Sequence, residues 1–164
     1  MRAGGHPATS MKHVLFLCTG NYYRSRYAEE LFNHLARGSE LNWEAESRAI
    51  AIEHGVSNFG PMATPSLAAL EIDGVRAAGA SRFPLPCTIA DLSSADLVIA
   101  VNEAEHHNLL TLRFPGWEDR VTYWHVYDLD QAQPAEALGT LRSLVHELVR
   151  KLSDGLDFCS MRHS

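Results

Sequence analysis

Residues 13–30 read HVLFLCTGNYYRSRYAEE, and this stretch decides how the chain folds. The all-apolar run over 14–17 is typical of a strand that is buried on both faces, and it ends at Cys18. From Ser25 onward the apolar residues recur at the i, i+3, i+4 spacing of an amphipathic helix. The sequence therefore predicts that residues 18–24 form a turn that leads from a strand into a helix.

This turn has the composition of a cradle for a tetrahedral anion. The first backbone N–H groups of a helix lack partners within the helix, and the helix dipole favours negative charge beside them. Gly20 and Asn21 suit a tight cradle, because glycine adopts unusual backbone angles freely and asparagine tolerates them. Arg24 can close the cradle with a planar bidentate fork, and Ser25 can donate a hydrogen bond to a thiolate. Cys18 is then a candidate nucleophile, because converging N–H groups and a guanidinium favour the thiolate form.

A cysteine at the end of a core strand is more often a packing residue, but its surroundings here favour a catalytic one. The spacing Cys-x5-Arg-Ser between an apolar strand and a helix is typical of cysteine-dependent phosphatases. Residues 18–25, CTGNYYRS, resemble the low-molecular-weight protein tyrosine phosphatase family, whose motif usually reads VCxGNxCRSP. The chain departs from that motif at Tyr23, in place of the second cysteine, and at Arg26, in place of the proline. Neither departure removes a catalytic group.

The resemblance implies a phosphate-binding loop around the catalytic pair Cys18 and Arg24. The residues of this loop would be Thr19, Gly20, Asn21, Tyr22, Tyr23 and Ser25. We further expect Tyr22, Tyr23 and Tyr127 to crowd the entrance, where an aromatic wall suits a phosphotyrosyl ring. For Tyr23, packing beneath the loop is an equally open alternative.

The resemblance also implies a general acid in the loop after the last strand. There Asp128 takes the place of the family's aspartate, and Leu129 takes the place of the proline that usually follows it. Asp130 is an alternative acid, although it also suits the role of a cap for the helix that begins near Pro134. His125 is a more distant candidate, because a lone histidine after a strand is more often a surface or packing residue.

Beyond the first helix, the apolar pattern alternates between strands and helices. It predicts strands at 43–49, 95–101 and 121–124, and helices at 65–74, 102–112 and 134–152. This order predicts an α/β domain in three layers, with a four-stranded parallel sheet, helices on both faces and the phosphate-binding loop after the first strand. Sites in such sheets lie at the carboxyl ends of the strands, where Cys18 is. We expect the domain to span residues 11–153, between a flexible N-terminal extension at 1–10 and a C-terminal tail at 154–164.

The composition limits the partners and the compartment. A chain of 164 residues with 46% hydrophobic residues fits one domain with one site. A net charge of −6 argues against a nucleic-acid partner, and no apolar run is long enough to predict a membrane partner. The cysteines, Cys18, Cys87 and Cys159, have no CxxC spacing, so they do not suggest a disulfide framework, and a reducing cytoplasm suits them.

Three other functions fit the sequence less well. The first is a metal site in the acidic and histidine-rich segment 103–107. The sequence favours a solvated helix face there, because adjacent histidines on a helix point apart and no HExxH motif occurs. A thioredoxin-coupled arsenate reductase would need relay cysteines. The pair Asn102-Glu103 stands where such relatives carry one, and Cys87 precedes the strand instead. A phosphate-binding module that has lost turnover stays open, because the pair at 128–129 is Asp-Leu.

The sequence therefore predicts a cytoplasmic phosphomonoesterase of the protein tyrosine phosphatase type. The expected substrate is a phosphotyrosine-containing protein or a small aryl phosphate. The expected reaction passes through a cysteinyl-phosphate intermediate on Cys18 and needs no metal or other cofactor.

Because Tyr23 replaces the second cysteine of the motif, we predict that oxidation of Cys18 progresses past sulfenic acid and becomes irreversible. Family members with two cysteines can protect the nucleophile as a disulfide, whereas residues 19–25 of this chain offer no such thiol. The measurement is the activity that dithiothreitol restores after graded exposure to peroxide, and the restored fraction should fall as exposure increases. Full recovery after prolonged exposure would contradict this prediction.

Overall fold

A parallel sheet of short strands forms the centre of the domain. The computed structural model describes residues 10–128 and 132–155. The strands are β1 at Lys12–Cys18, β2 at Trp43–Ala49, β3 at Leu97–Ala100 and β4 at Thr122–Tyr123. They pair in the order β2-β1-β3-β4, and every pair is parallel, which confirms the predicted four-stranded sheet. The chain leaves β1 for β2 on one side and returns to β3 on the other, and this reversal opens a crevice beyond the carboxyl end of β1.

Helices cover both faces of the sheet, as predicted. They are α1 at Arg24–Gly38, α2 at Thr64–Ile72, α3 at Ile89–Ser94, α4 at Glu103–Arg113 and α5 at Pro134–Ser153, with a 3₁₀ turn at Ile52–Gly55. Buried side chains of α1, α2 and α5 belong to one hydrophobic cluster, and those of α3 and α4 belong to another. None of the helices in the described ranges is long and apolar enough to cross a membrane.

The alternation of β1 explains why its sequence is apolar throughout. Val14 and Phe16 pack into the cluster on the α1 side, whereas Leu15 and Leu17 pack into the cluster on the α4 side. Each fully buried side chain of this size contributes about 1.5–3 kcal/mol relative to an exposed one. Because β1 is central and covered on both faces, no position along this run faces water, and the strand delivers Cys18 to the crevice.

β3 and β4 are shorter than the sequence predicted, because regular pairing stops before the extended backbone does. Beyond β3, the Val101 N–H donates to the Leu17 carbonyl at 3.0 Å, and the Val126 N–H donates to the Val101 carbonyl at 2.8 Å. These bonds prolong the ladder past the ends of the strands. They hold the segments after β3 and β4 side by side at the edge of the sheet where Cys18 lies.

Arg26, the residue in place of the motif's proline, is buried in the third position of α1. Its guanidinium donates to the carbonyls of Pro61 at 2.8 Å, Gly79 at 2.7 Å and Arg82 at 2.8 Å. A proline has no side-chain donor with which to form these bonds. Arg26 therefore ties the segment between residues 61 and 82 to the first turn of α1.

Candidate active site

The turn between β1 and α1 wraps around the sulfur of Cys18. The Asn21 backbone N–H donates to Sγ at 3.2 Å, and the Ser25 hydroxyl lies 2.9 Å from it. Ser25 Oγ itself accepts a hydrogen bond from Asn21 Nδ2 at 2.9 Å, which leaves the serine hydrogen available for the sulfur. When Cys18 is a thiolate, both the Asn21 N–H and the Ser25 hydroxyl can donate to Sγ.

Asn21 stands at the strained position of the turn. Its φ is +53°, in the left-handed region that asparagine tolerates better than most residues, and it is fully buried. Its Nδ2 donates to Ser25 and to Ser47 at 2.9 Å each, and its Oδ1 accepts from Arg82 Nη1 at 3.2 Å and from the Leu85 N–H at 3.1 Å. The four hydrogen-bonding positions of the amide are all used, so the tertiary structure holds the turn in its strained form.

The start of α1 is open to an anion. Within the described residues no side chain caps this helix, and its first turn carries no acidic residue. Its first N–H groups and its dipole therefore face the crevice without a competing side-chain acceptor. The helix is 15 residues long, which is enough for a full dipole effect at its end.

The Arg24 guanidinium is held at the side of the cradle. It is 2% exposed, and it makes a bidentate ion pair with Glu105, with Nη1–Oε1 at 3.0 Å and Nη2–Oε2 at 2.8 Å. Nη1 also donates to the Val126 carbonyl at 2.9 Å, and Nη2 lies 3.5 Å from Oδ2 of Asp128. Within the described residues Nε is buried without a hydrogen-bond partner. Among the described residues, the Nε hydrogen of Arg24 therefore has no acceptor and is available to a ligand.

Glu105 collects hydrogen bonds from three other side chains. Its Oε2 accepts hydrogen bonds from the Thr19 hydroxyl and from Nη2 of Arg24. Nε2 of His106 donates to the same oxygen, at 3.1 Å. His106 Nδ1 accepts the Asn102 N–H at 3.1 Å, so the hydrogen of a neutral imidazole must lie on Nε2. Burial alone would raise the pKa of Glu105, but the hydrogen bonds from His106 and Arg24 outweigh burial and hold it far below its usual range. Glu105 is therefore ionised at neutral pH.

Asp128, the predicted general acid, lies at the mouth of the crevice in the loop after β4. Its side chain is 43% exposed and lies beside the Arg24 guanidinium. Asp130, the alternative acid, and Leu129 lie outside the described residues. His125 is 69% exposed, and its ion-pair contact is with Glu103 at 3.9 Å, away from the cradle contacts.

Comparison with known proteins decides the family. Residues 13–139 match the model of the low molecular weight phosphotyrosine protein phosphatase family. The chain belongs to this family. The protein-arginine-phosphatase of Bacillus subtilis (strain 168) is 31% identical to this phosphatase over 108 residues, which are 66% of this chain and 67% of that protein.

Solved structures share the fold of this chain. YfkJ from Bacillus subtilis superposes with a TM-score of 0.75 at 23% identity, over 92% of this chain and 100% of that chain. A low-molecular-weight protein tyrosine phosphatase from T. tengcongensis superposes with a TM-score of 0.69 at 24% identity, over 88% of this chain and 99% of that chain. At these identities the likeness concerns the fold.

The prediction that Tyr23 crowds the entrance is wrong for its side chain. Tyr23 is 5% exposed and packs into the hydrophobic cluster on the α1 side, beneath the loop. As the residue that precedes α1, it turns its ring toward the core while its backbone stays in the cradle. Tyr22 and Tyr127 are partly exposed. The Tyr22 hydroxyl donates to the carbonyl of Phe59, whose side chain is 91% exposed.

The interpretation of segment 103–107 as a solvated helix face is wrong for Glu105 and His106. His106 is fully buried, and Glu105 reaches both Thr19 and Arg24. The signal that could have found them is topological, because the end of β3 lies beside the end of β1 and the first turn of α4 must meet the cradle. The periodicity of α4 alone carries no such information.

We predict that the free energy of unfolding of the phosphatase falls as the pH drops below about 6.5, and that His106→Gln makes this fall shallower. Burial lowers the pKa of His106 in the folded state, despite the opposing hydrogen bond to Glu105. As the pH falls, His106 is therefore protonated first in the unfolded chain. In the folded chain it is protonated only at a lower pH, and between these two pH values protonation favours unfolding. One such group contributes a slope of at most about 1.4 kcal/mol per pH unit.

The measurement is urea unfolding of wild type, His106→Gln and the control His107→Gln between about pH 5 and pH 8. His107 is the neighbour of His106 on α4, and its ring packs near Tyr123, at a centroid distance of 5.6 Å, rather than against Glu105. Equal pH slopes for wild type and His106→Gln would show that His106 does not titrate as its burial requires.

Proposed function

We propose that this phosphatase hydrolyses phosphorylated protein side chains, phosphotyrosine in particular, through a cysteinyl-phosphate intermediate. The observation that carries the proposal is the convergence of three groups on one point. They are the sulfur of Cys18, the uncapped start of α1 and the guanidinium of Arg24. A nucleophile, a helix dipole and a buried cation with a spare N–H together fit a phosphoryl group.

In the first step the Cys18 thiolate attacks phosphorus, so that a P–S bond forms as the bond from phosphorus to the leaving oxygen breaks. Asp128, which is partly exposed at the mouth of the crevice, gives its proton to that leaving oxygen. The α1 N–H groups and Arg24 stabilise the charge on the equatorial oxygens in the transition state.

In the second step water attacks the phosphorus of the intermediate, and the P–S bond breaks. The Asp128 carboxylate takes a proton from the water, and the thiolate leaves with inorganic phosphate as the product. The Ser25 hydroxyl, 2.9 Å from the sulfur, stabilises the departing thiolate by a hydrogen bond. One carboxyl group thus serves as acid and then as base. A reducing, cytoplasmic environment is part of the proposal, because the thiolate must stay unoxidised.

Aromatic side chains near the crevice support phosphotyrosine as the substrate. Tyr22 belongs to the cradle loop, and its hydroxyl binds the carbonyl of the exposed Phe59. Tyr127 is 48% exposed and immediately precedes Asp128. Partly exposed aromatic faces suit an aryl ring whose phosphate lies in the cradle.

Phosphoarginine is the second candidate substrate. The relative that is 31% identical over 108 residues is a protein-arginine-phosphatase. The carboxylate of Asp128 lies 3.5 Å from the Arg24 guanidinium, and this contact supports the proposal that it could also lie beside a substrate guanidinium. A phosphorylated guanidinium of a substrate could take a comparable contact.

The cysteines do not support arsenate reduction by a thiol relay. Cys18 and Cys87 are both free thiols, and they lie in hydrophobic clusters on opposite faces of the sheet. Burial and the nearby Asp91 raise the pKa of Cys87 to about 12, so that its thiolate is scarce at neutral pH. Cys159 lies outside the described residues.

We predict that aryl phosphate is hydrolysed in the presence of EDTA, that Cys18→Ser abolishes turnover, and that Asp128→Ala lowers kcat by about 10²–10⁴-fold. Asp130→Ala is the matched control, since it removes a carboxylate two residues further along the chain. Turnover that persists in Cys18→Ser would refute the mechanism. A larger loss in Asp130→Ala than in Asp128→Ala would transfer the role of acid to Asp130.

The same assay with two peptides of identical sequence, one carrying phosphotyrosine and one phosphoarginine, tests the substrate class. We expect a higher kcat/KM for the phosphotyrosine peptide, and the opposite order would favour phosphoarginine. Wild-type protein that binds phosphate or vanadate without turnover would favour the binding-module alternative.

A further inference from the structure

We propose that Glu105 is a positioning residue for the reaction: it holds the Arg24 guanidinium in the orientation that the phosphoryl group requires. The inference rests on the proposed function, because it assigns Arg24 to the phosphate. Glu105 does not touch the reacting atoms in this arrangement, and it acts through Arg24. The spacing of apolar residues in α4 does not indicate that Glu105 belongs to the site.

The two edges of the guanidinium have different partners. A guanidinium presents one fork from Nη1 and Nη2 and another from Nη2 and Nε. Glu105 takes the first fork with both of its oxygens, at 3.0 Å and 2.8 Å, and the Val126 carbonyl takes a further hydrogen of Nη1 at 2.9 Å. The Nε hydrogen is left buried and unpartnered within the described residues.

The unpartnered Nε hydrogen indicates which edge binds the ligand. A buried donor without an acceptor costs about 1–3 kcal/mol, and a ligand that accepts the Nε hydrogen of Arg24 at the cradle would remove this cost. Arg24 lies six residues after Cys18, at the end of the cradle, and the ligand that the cradle suits is a phosphoryl group. The Nε edge of Arg24 is therefore the edge that binds the phosphoryl group, and the Nη1–Nη2 edge is the one that orients it.

Glu105 is itself fixed from several sides. Asn102 accepts the Glu105 N–H through Oδ1 at 2.9 Å, which caps α4 and sets the start of the helix. His106 and Thr19 donate to Oε2, so the carboxylate has little freedom to rotate. Because Thr19 belongs to the cradle loop, these contacts connect α4 to the loop as well as to Arg24.

The opposite role for Glu105 is inhibition, with its carboxylate occupying the place of the phosphate. The two roles predict opposite signs for one measurement. If Glu105 orients Arg24, loss of its charge weakens phosphate binding. If Glu105 competes with phosphate, loss of its charge strengthens phosphate binding.

The experiment compares wild type with Glu105→Gln, which keeps the size of the side chain and removes its charge. The probes are inorganic phosphate and vanadate, measured by calorimetry and as competitive inhibitors of aryl phosphate hydrolysis. We expect the Kd of phosphate to rise and kcat/KM to fall by about 10–100-fold, the equivalent of losing charge-assisted hydrogen bonds. Glu103→Gln, a change of the same chemistry on an exposed side chain two residues earlier, should leave both values unchanged.

Glu105→Asp keeps the charge on a shorter side chain and should retain more phosphate affinity than Glu105→Gln. A general loss of folding would not produce this order of affinities. Unchanged or tighter phosphate binding by Glu105→Gln would overturn the inference. If wild type binds phosphate but shows no turnover, the proposed function fails while the binding comparison still tests Glu105. If wild type turns over and Glu105→Gln matches it, only the inference fails.

Discussion

The ion pair between Arg24 and Glu105 is the interaction on which the rest of the site depends. A guanidinium that is 2% exposed is expensive to bury unless its charge is matched and its hydrogens are bonded, and the bidentate geometry provides both. The pair can form only because β1 and β3 are neighbours in the sheet, so that the segments following them meet at one edge. The strand order thereby links the architecture of the domain to the orientation of a single side chain.

The cradle is supported on its other side by a separate polar network. Asn21 binds Ser47 at the end of β2, and Ser47 in turn accepts from Arg82 at 3.1 Å and donates to Glu29. Arg26 adds carbonyl contacts that hold the segment carrying Arg82 against α1. Contacts from β2 on one side and from α4 on the other thus preorganise the loop around the sulfur, as electrostatic stabilisation of a transition state requires.

The two departures from the family motif change the packing around the cradle and leave Cys18, Arg24 and Ser25 in their positions of the motif. Tyr23 puts an aromatic ring into the core where other members carry a second cysteine, and its hydroxyl is buried without a partner in the described residues. Burial raises the pKa of this hydroxyl, so the ring stays neutral beside the charged groups of the site. Arg26 exchanges a rigid proline for a buried cation with three carbonyl partners. Neither side chain contacts Cys18 in the hydrogen bonds of the cradle.

The sequence by itself determined the features that depend on neighbouring residues. One short segment contains the apolar run of β1, Cys18, Arg24 and the change to helical spacing at Ser25. Within such a segment the spacing of apolar residues is enough to predict a strand, a turn and a helix. Only the tertiary structure decided which side chains complete the site. Glu105 is 81 residues from Arg24, and the period of α4 specifies a buried face but not what its first turn meets. Likewise, the direction of the Tyr23 ring depends on space beneath the loop, which exists only once α1 packs on the sheet.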